Sequence, residues 1–412
     1  YAVTRDTNHD NRIGAGDAAS TYKEGSQSYP GFSKTDAGGH SRTSWAVYTD
    51  VAASPVEAWK VDAALRYEKF SDFGDTTVAK LTSRYDFNEM FAVRGTVSTG
   101  FRAPTLAESF YSATNVSPTS AFVQLAPNSS AARLLGIDKL KPEKSTNFSL
   151  GIVAHPLPKL TATIDAYQIK LKDRIFGSSS VYGMRNGVIV NPNVNAAIAA
   201  NGNVLDSTVT STGINIFSNG LDTRTRGLDV VVSYPTDLGD YGRIDWTLSG
   251  NVNKTKITKV KAAPAALAVT STAFPTGQVL FAGNAASLLE KAAPKYKVGL
   301  NGLYSYGKLT LNVTETFYGK ASALSDPGTG PLQNNVASAT AITDAELSYK
   351  FPMGVVAAIG ANNLFNKYPD KFTAAYQAAC VASGGGCVTQ YPSFSPYGIN
   401  GGYYYGRLTF SF

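Results

Sequence analysis

The stretch Arg243–Asn253, RIDWTLSGNVN, decides the fold. Arg243, Asp245, Thr247, Ser249, Asn251 and Asn253 alternate with Ile244, Trp246, Leu248, Gly250 and Val252. Successive side chains of a strand point to opposite faces, so this segment, once extended, is polar on one face and almost wholly apolar on the other. The same period returns in Val93–Phe101, with Arg94, Thr96 and Ser98 against Val93, Val97 and Phe101. It returns again in Val61–Tyr67 (Asp62 and Arg66 against Val61, Leu65 and Tyr67) and in Thr343–Phe351 (Asp344, Glu346, Ser348 and Lys350 against Ala345, Leu347, Tyr349 and Phe351). A soluble sheet also alternates, with its apolar face on a core. Here many runs reach about ten residues, the span that crosses a bilayer at a tilt, against roughly five or six in an ordinary globular strand.

The connections carry the second half of the signal. Short ones fall at 53–56, 88–89, 155–159, 235–241, 305–308 and 352–354, and all but one of the others are long: 104–142, 174–211, 258–288, 322–337 and 367–397. Tight turns on one side and bulky loops on the other define an all-β, transmembrane, antiparallel up-and-down barrel, with short periplasmic turns and long extracellular loops. The last strand, Tyr403–Phe412 (YYYGRLTFSF), sets Tyr404, Leu408, Phe410 and Phe412 against Arg407, Thr409 and Ser411. Leu408, Phe410 and the terminal Phe412 read as a signal to the outer-membrane barrel assembly machinery; the plainer alternative is an edge strand that ends in Phe.

Composition is consistent with this. Of 412 residues 43% are hydrophobic and only 16% charged, and 23 Tyr and 20 Phe suit interfacial girdles. Mean hydropathy is −0.11, and no apolar run reaches the length of a membrane helix. The net charge of +7 comes without a helix–turn–helix or zinc-finger spacing, so nucleic acid is not an expected partner. Lys and Arg read as spread over lumen positions and loops, which fits either a solvated lumen or attraction of an anionic ligand. No pattern change marks a domain boundary: 1–39 reads as an extracellular loop segment and 40–412 as one barrel segment.

Candidate sites are few. Cys380 and Cys387, the only cysteines, flank a Gly-rich stretch and read as a small disulfide ring in an oxidising compartment, with a pair of free thiols as the alternative. His9, His40 and His155 form no spacing motif, and no G-x-S-x-G, His-x-x-x-His or P-loop is present, so no enzymatic activity and no cofactor are expected. Asp62, Asp245, Asp344 and Glu346 read as partners of lumen Arg and Lys. Asp6–Asp17, DTNHDNRIGAGD, places Asp6, Asn8, Asp10 and Asp17 at positions 1, 3, 5 and 12 of a calcium loop, with the Arg12 carbonyl at position 7. Asp17 stands where such loops carry a bidentate Glu, and an Asp/Asn-rich turn is the alternative.

RGTVSTGFRAPTLAESFY (94–111), LKPEKSTNFSLGI (140–152), TRTRGLDVVVSY (223–234), NNLFNKYPD (362–370) and the terminal Phe412 occur in this order. Together with PGFSKTDAGGHSR (30–42), they resemble the landmarks of TonB-dependent outer-membrane receptors over nearly the whole chain. The resemblance implies an active importer that binds a scarce solute, a ferric siderophore most commonly, and moves it past a plug with energy delivered by TonB. It implies a monomer in the bacterial outer membrane, in contact with bilayer lipid and lipopolysaccharide. A passive porin-like channel and a soluble secreted β-rich binding protein are the rival readings. About thirteen strands are expected, at 40–52, 57–70, 75–87, 90–103, 143–154, 159–173, 212–234, 241–257, 289–304, 308–321, 338–351, 355–366 and 399–412. An odd number without the family's plug, TonB box or first strands reads as the C-terminal part of the receptor barrel, an open sheet with two unpaired edges.

Overall fold

The computed structural model describes residues 38–116, 120–203, 209–327, 331–382 and 389–410. The calcium-loop residues Asp6, Asn8, Asp10, Arg12 and Asp17, the 1–37 part of the expected loop segment, Cys387 and Phe412 lie outside the described residues.

Thirteen long strands follow one another: β1 Ser44–Val56, β2 Trp59–Phe70, β3 Gly74–Asn88, β4 Phe91–Arg102, β5 Glu143–Ala154, β6 Thr161–Gly177, β7 Ser211–Asp237, β8 Arg243–Val260, β9 Tyr296–Tyr306, β10 Leu309–Tyr318, β11 Thr340–Lys350, β12 Val355–Asn362 and β13 Tyr403–Phe410. Each pairs antiparallel with the next. Among the described residues β1 pairs only with β2, and β13 only with β12, where Leu408 faces Ala357 and Phe410 faces Val355. Over the described residues the sheet is therefore open, as the odd strand number anticipates.

Turns of 57–58, 89–90, 155–160, 238–242, 307–308 and 351–354 lie at one end, and segments of 103–142, 178–210, 261–295, 319–339 and 363–402 at the other, with 71–73 the one short link among them. The strand bounds fall within four residues of those expected except at the start of β9. β9 starts at Tyr296 rather than 289, because the Gly283–Glu290 helix occupies the approach. β7 runs for 27 residues, and a register irregularity between Asn219 and Thr223 marks where its outer part leaves the barrel. That outer part, Ser211–Ile216, pairs in parallel with Ser120–Leu125.

The largest fully buried apolar side chains lie in the long segments and the outer end of β7 rather than in the barrel strands below. Val123, Leu125, Leu135, Val181, Val194, Ile198, Ile214, Ile216 and Leu267 form one core drawn from the segments 103–142, 178–216 and 261–280. The expected long loops form a packed cap over the outer end. Three of its short helices are side-chain capped: α1 Leu106–Phe110 by Thr105, α2 Ser130–Leu134 by Ser129, and α3 Pro192–Ala200 by Asn191, with Pro at its start. The sheet itself leaves a broad apolar face uncovered, with Val47, Leu65, Leu81, Val97, Phe148, Leu150, Leu248, Leu300 and Leu408 all exposed. An apolar face of this extent exceeds what water-soluble monomers tolerate and fits contact with hydrocarbon.

Candidate functional site

The polar face of the sheet is a continuous hydrogen-bonded wall. Register places Arg84, Arg94, Gly151, Asp165, Asp229 and Asn251 directly opposite one another across β3 to β8. Arg94 reaches over Gly151 to grip Asp165 with two bonds of 2.9 and 2.5 Å. A Cβ at Gly151 would overlap the Asp165 carboxylate, so glycine is what lets the pair close across the intervening strand. Gly227 likewise seats the Tyr167 ring, whose hydroxyl accepts from Asn251 at 3.3 Å, and Asn251 donates to Asp229 as well. Half-exposed pairs of this kind contribute about 1 kcal/mol or less each, so the wall sets polarity and shape more than stability.

The sequence-level carboxylates fall on this wall. Asp62 meets Lys80 at 3.4 Å, Asp245 meets Arg243, and Glu346 meets Arg407 at 2.7 Å while also accepting from the Tyr405 hydroxyl at 2.8 Å. Asp344 differs, accepting the Asn363 N–H at 2.7 Å rather than pairing with a cation.

The motif residues fasten the outer mouth. Arg102 bridges two carboxylates, Glu143 at 2.8 Å and Glu108 at 2.9 Å, and Glu143 also accepts the Ile175 N–H at 2.7 Å. Glu108 and Thr105 exchange reciprocal bonds as a capping box at the start of α1. Burial alone would raise the Glu108 carboxyl, but the Arg102 guanidinium and the Thr105 N–H outweigh it and hold the group below the usual range. The end of β4, the start of β5, the end of β6 and the first cap helix are thus tied at one point. At Asn362–Asp370 the chain turns through two left-handed asparagines, Asn363 (φ 54) and Asn366 (φ 51). The Asn363 side chain brackets the turn through Lys367 N–H and carbonyl at 2.9 and 2.7 Å, and Asn366 accepts from Gly402 at 2.8 Å.

Above the wall, the cap presents an aromatic and cationic cluster that sequence reading does not anticipate. The Arg185 guanidinium lies 5.2 Å from the Tyr182 ring and 5.6 Å from the Phe274 ring. Tyr182 stacks on Phe274 at 5.9 Å and meets Phe122 edge-on at 5.4 Å. Two bonds of 2.7 Å between the Tyr182 backbone and the Gln278 side chain lock the segments together. Burial pushes the Tyr182 phenol up, Arg185 opposes this, and Asp326 adds to it. Phe122, Tyr182, Arg185 and Phe274 come from three segments, so only the folded cap unites them. At the cap's seat on the barrel, Lys139, Lys141, Lys261, Ser218 and Asn219 line a cleft of about 210 Å³.

Leu408 and Phe410 sit exposed on β13. Cys380 lies in the helix Ala374–Ala382. Among the described residues no group of three or more His, Cys, Asp or Glu could hold a metal ion. One expectation needs correcting. The cations are not simply spread over lumen and loops: Lys144, Lys170, Lys172, Arg224, Arg226, Lys254 and Lys256 share the face opposite to the polar wall, because they fall in phase with the apolar positions of β5 to β8.

The family profile described as TonB dependent receptor-like, beta-barrel, matches residues 2–364. An iron-regulated outer membrane virulence protein of Vibrio cholerae is 27% identical over 135 residues, which are 33% of this chain and 19% of that protein. Among solved structures, the siderophore receptor PirA of Acinetobacter baumannii superposes with a TM-score of 0.57 at 19% identity, covering 94% of this chain and 49% of that one. The ferric enterobactin receptor PfeA of Pseudomonas aeruginosa gives 0.57 at 17% identity, covering 95% and 48%. At these identities the superpositions establish the fold, and the chain spans about half the length of those receptors. The chain belongs to the TonB-dependent receptor family and carries part of its β-barrel.

Proposed function

We propose that this chain is part of an outer-membrane receptor that captures an anionic iron chelate, a ferric siderophore, at the cap and passes it along the polar wall, with transport driven by TonB. The observation that carries the reading is the cluster of Arg185 with Tyr182, Phe274 and Phe122 above a wall of paired charges. A guanidinium held over aromatic faces offers positive charge and flat apolar contact together, the two features a ferric chelate with planar iron-binding groups requires. Relatives described as siderophore and ferric enterobactin receptors, some solved with enterobactin, point the same way. The receptor landmarks and the packed outer cap favour this over a passive channel or a secreted soluble protein.

The test is direct binding of ferric enterobactin and other ferric siderophores to the purified intact receptor, with Arg185→Ala beside the wild type. We expect one chelate to bind and the substitution to weaken it at least tenfold, about 1.4 kcal/mol. No chelate bound by the wild type, or equal affinity in the variant, overturns the reading.

The proposal has two outer-side accessories. One is a Cys380–Cys387 bridge that fixes a loop tip. The other is a calcium ion held by Asp6, Asn8, Asp10, the Arg12 carbonyl and Asp17, for which a calcium-dependent rise in Tm, abolished by Asp10→Asn, is the expected sign. TonB and the outer-membrane assembly machinery are the proposed protein partners, the latter through Leu408, Phe410 and Phe412.

A further inference from the structure

The cleft of about 210 Å³ at the cap's seat is enclosed from both sides. Segments 136–141 and 261–264, with Leu280, come from the cap, and Asp173 and residues 218–220 come from the outer ends of β6 and β7. Hydrogen bonds fix this frame. The Asn219 side chain accepts the Lys141 N–H at 2.8 Å and donates to the Lys141 carbonyl at 2.8 Å and to the Asp173 carbonyl at 2.6 Å. The Gly220 carbonyl accepts the Lys261 N–H at 2.8 Å. Gly136, with φ of 72°, lies against Pro264, which a Cβ at this position would approach to 3.2 Å. Ile137 and Leu280, both buried, supply the apolar part of the wall.

Several polar groups around the cleft are left unused. Ser218 is only 9% exposed, and its hydroxyl makes no hydrogen bond. A buried hydroxyl without a partner is a cost that a bound polar group removes. Lys261 pairs with Asp138 at 3.4 Å. Among the described residues, Lys139 and Lys141 meet no carboxylate within ion-pair distance, and Asp173 meets no cation. The cleft thus offers two free ammonium groups, one free carboxylate, one free hydroxyl and an apolar surface.

We propose that this cleft binds a small zwitterion, a free α-amino acid with an apolar side chain. The ligand carboxylate takes the ammonium groups of Lys139 and Lys141 and the Ser218 hydroxyl. Its ammonium takes the Asp173 carboxylate, and its side chain lies on Ile137 and Leu280. A lone anion would leave Asp173 uncompensated, and a lone cation would leave the two lysines so. Size separates this site from the aromatic cluster around Arg185. Pockets for drug-sized ligands run to roughly 300–1,000 Å³, so a cleft below that range excludes a ferric chelate. The inference goes beyond chelate import and does not depend on it. Because cap and barrel both furnish the wall, an occupant that binds only the assembled cleft holds the two together.

The test is isothermal titration calorimetry of the intact receptor in detergent with L-leucine. The comparison ligands are 4-methylpentanoate, which lacks the ammonium, 3-methylbutylamine, which lacks the carboxylate, and inorganic phosphate. We expect leucine to bind at least tenfold tighter than each of the three. Lys141→Gln and Asp173→Asn, both at exposed side chains, should each weaken leucine at least tenfold. Bound leucine should also slow hydrogen exchange at the Lys141 and Lys261 amides, which close the seam between cap and barrel. No leucine binding, or equal binding of 4-methylpentanoate or phosphate, overturns the proposal, the latter by assigning the cleft to a simple anion. Unchanged affinity in either variant, or unchanged exchange at both amides, overturns it too. Competitive displacement of leucine by ferric enterobactin would place it in the Arg185 cluster and overturn the separate site. Failure of any chelate to bind, with leucine binding intact, removes only the import reading.

Discussion

Leu248→Arg should impair the barrel by about 2–4 kcal/mol. Leu248 is 40% exposed and stands directly between Val232 and Leu300. On this face of β8 the apolar positions begin at Ile244 and the first cation is Lys254. At about 3.3 Å per residue those limits lie roughly 13 and 20 Å along the strand from Leu248. A tilt of about 40° reduces them to roughly 10 and 15 Å in height, which together match an apolar band of about 25 Å and put Leu248 near its middle. An arginine there stands between Val232 and Leu300, and the loss corresponds to about 30- to 900-fold in the folding equilibrium. The control is Thr247→Arg, one residue away on the wall between Ser233 and Asn301, where a wet face should limit the cost to less than about 1 kcal/mol. Both are measured by urea-dependent folding of the intact receptor into phospholipid vesicles, read by heat-modifiable gel mobility. If Leu248→Arg costs no more than Thr247→Arg, the assignment of the two faces is wrong.

Gly151→Ala should cost about 1–3 kcal/mol, because its methyl displaces the Asp165 carboxylate from Arg94, and most of that cost should vanish in an Asp165→Ala background; an additive double-mutant cycle would refute the bridging role. The Glu108 carboxyl is depressed, so its contribution is present above the ordinary glutamate pKa of about 4.3 and is lost as pH falls through the lower folded value. The protection factors of the α1 amides, taken relative to intrinsic exchange at each pH, should accordingly fall on acidification below about pH 4, and Glu108→Gln should remove that pH dependence. Cys380 and Cys387 should resist alkylation in the unreduced folded receptor and take up two labels after reduction; labelling without reduction would reject the bridge. The closed ring is short, so reducing it should leave barrel stability nearly unchanged.

The barrel strands are legible in the sequence because their signal is local. Each of Ile244 to Val252 shows its face by its own position, and lipid on one side with water on the other keeps the two-residue period clean. The cap is harder to read. Its core comes from short elements in three segments, and no single one is long enough to establish a period. Two fragments were readable in principle: Ala121, Val123 and Leu125 alternate into the core, and Val194, Ala197 and Ile198 recur at helical spacing on α3. The Arg185 cluster depends on tertiary pairing between Tyr182 and Gln278, which sequence order does not reveal. The row of cations on the face opposite to the polar wall depends on register. Lys170, Arg224 and Lys256 look scattered along the chain, and only the pairing of β6 with β7 and β7 with β8 lines them up.

The central claim is that this barrel belongs to a receptor that imports a ferric siderophore by active transport. Its most direct test is uptake of ⁵⁵Fe-labelled siderophore by cells carrying the intact receptor, measured with TonB present and absent. The account predicts saturable uptake that disappears when either the receptor or TonB is removed. Uptake that rises linearly with concentration and persists without TonB would contradict it and restore the passive channel.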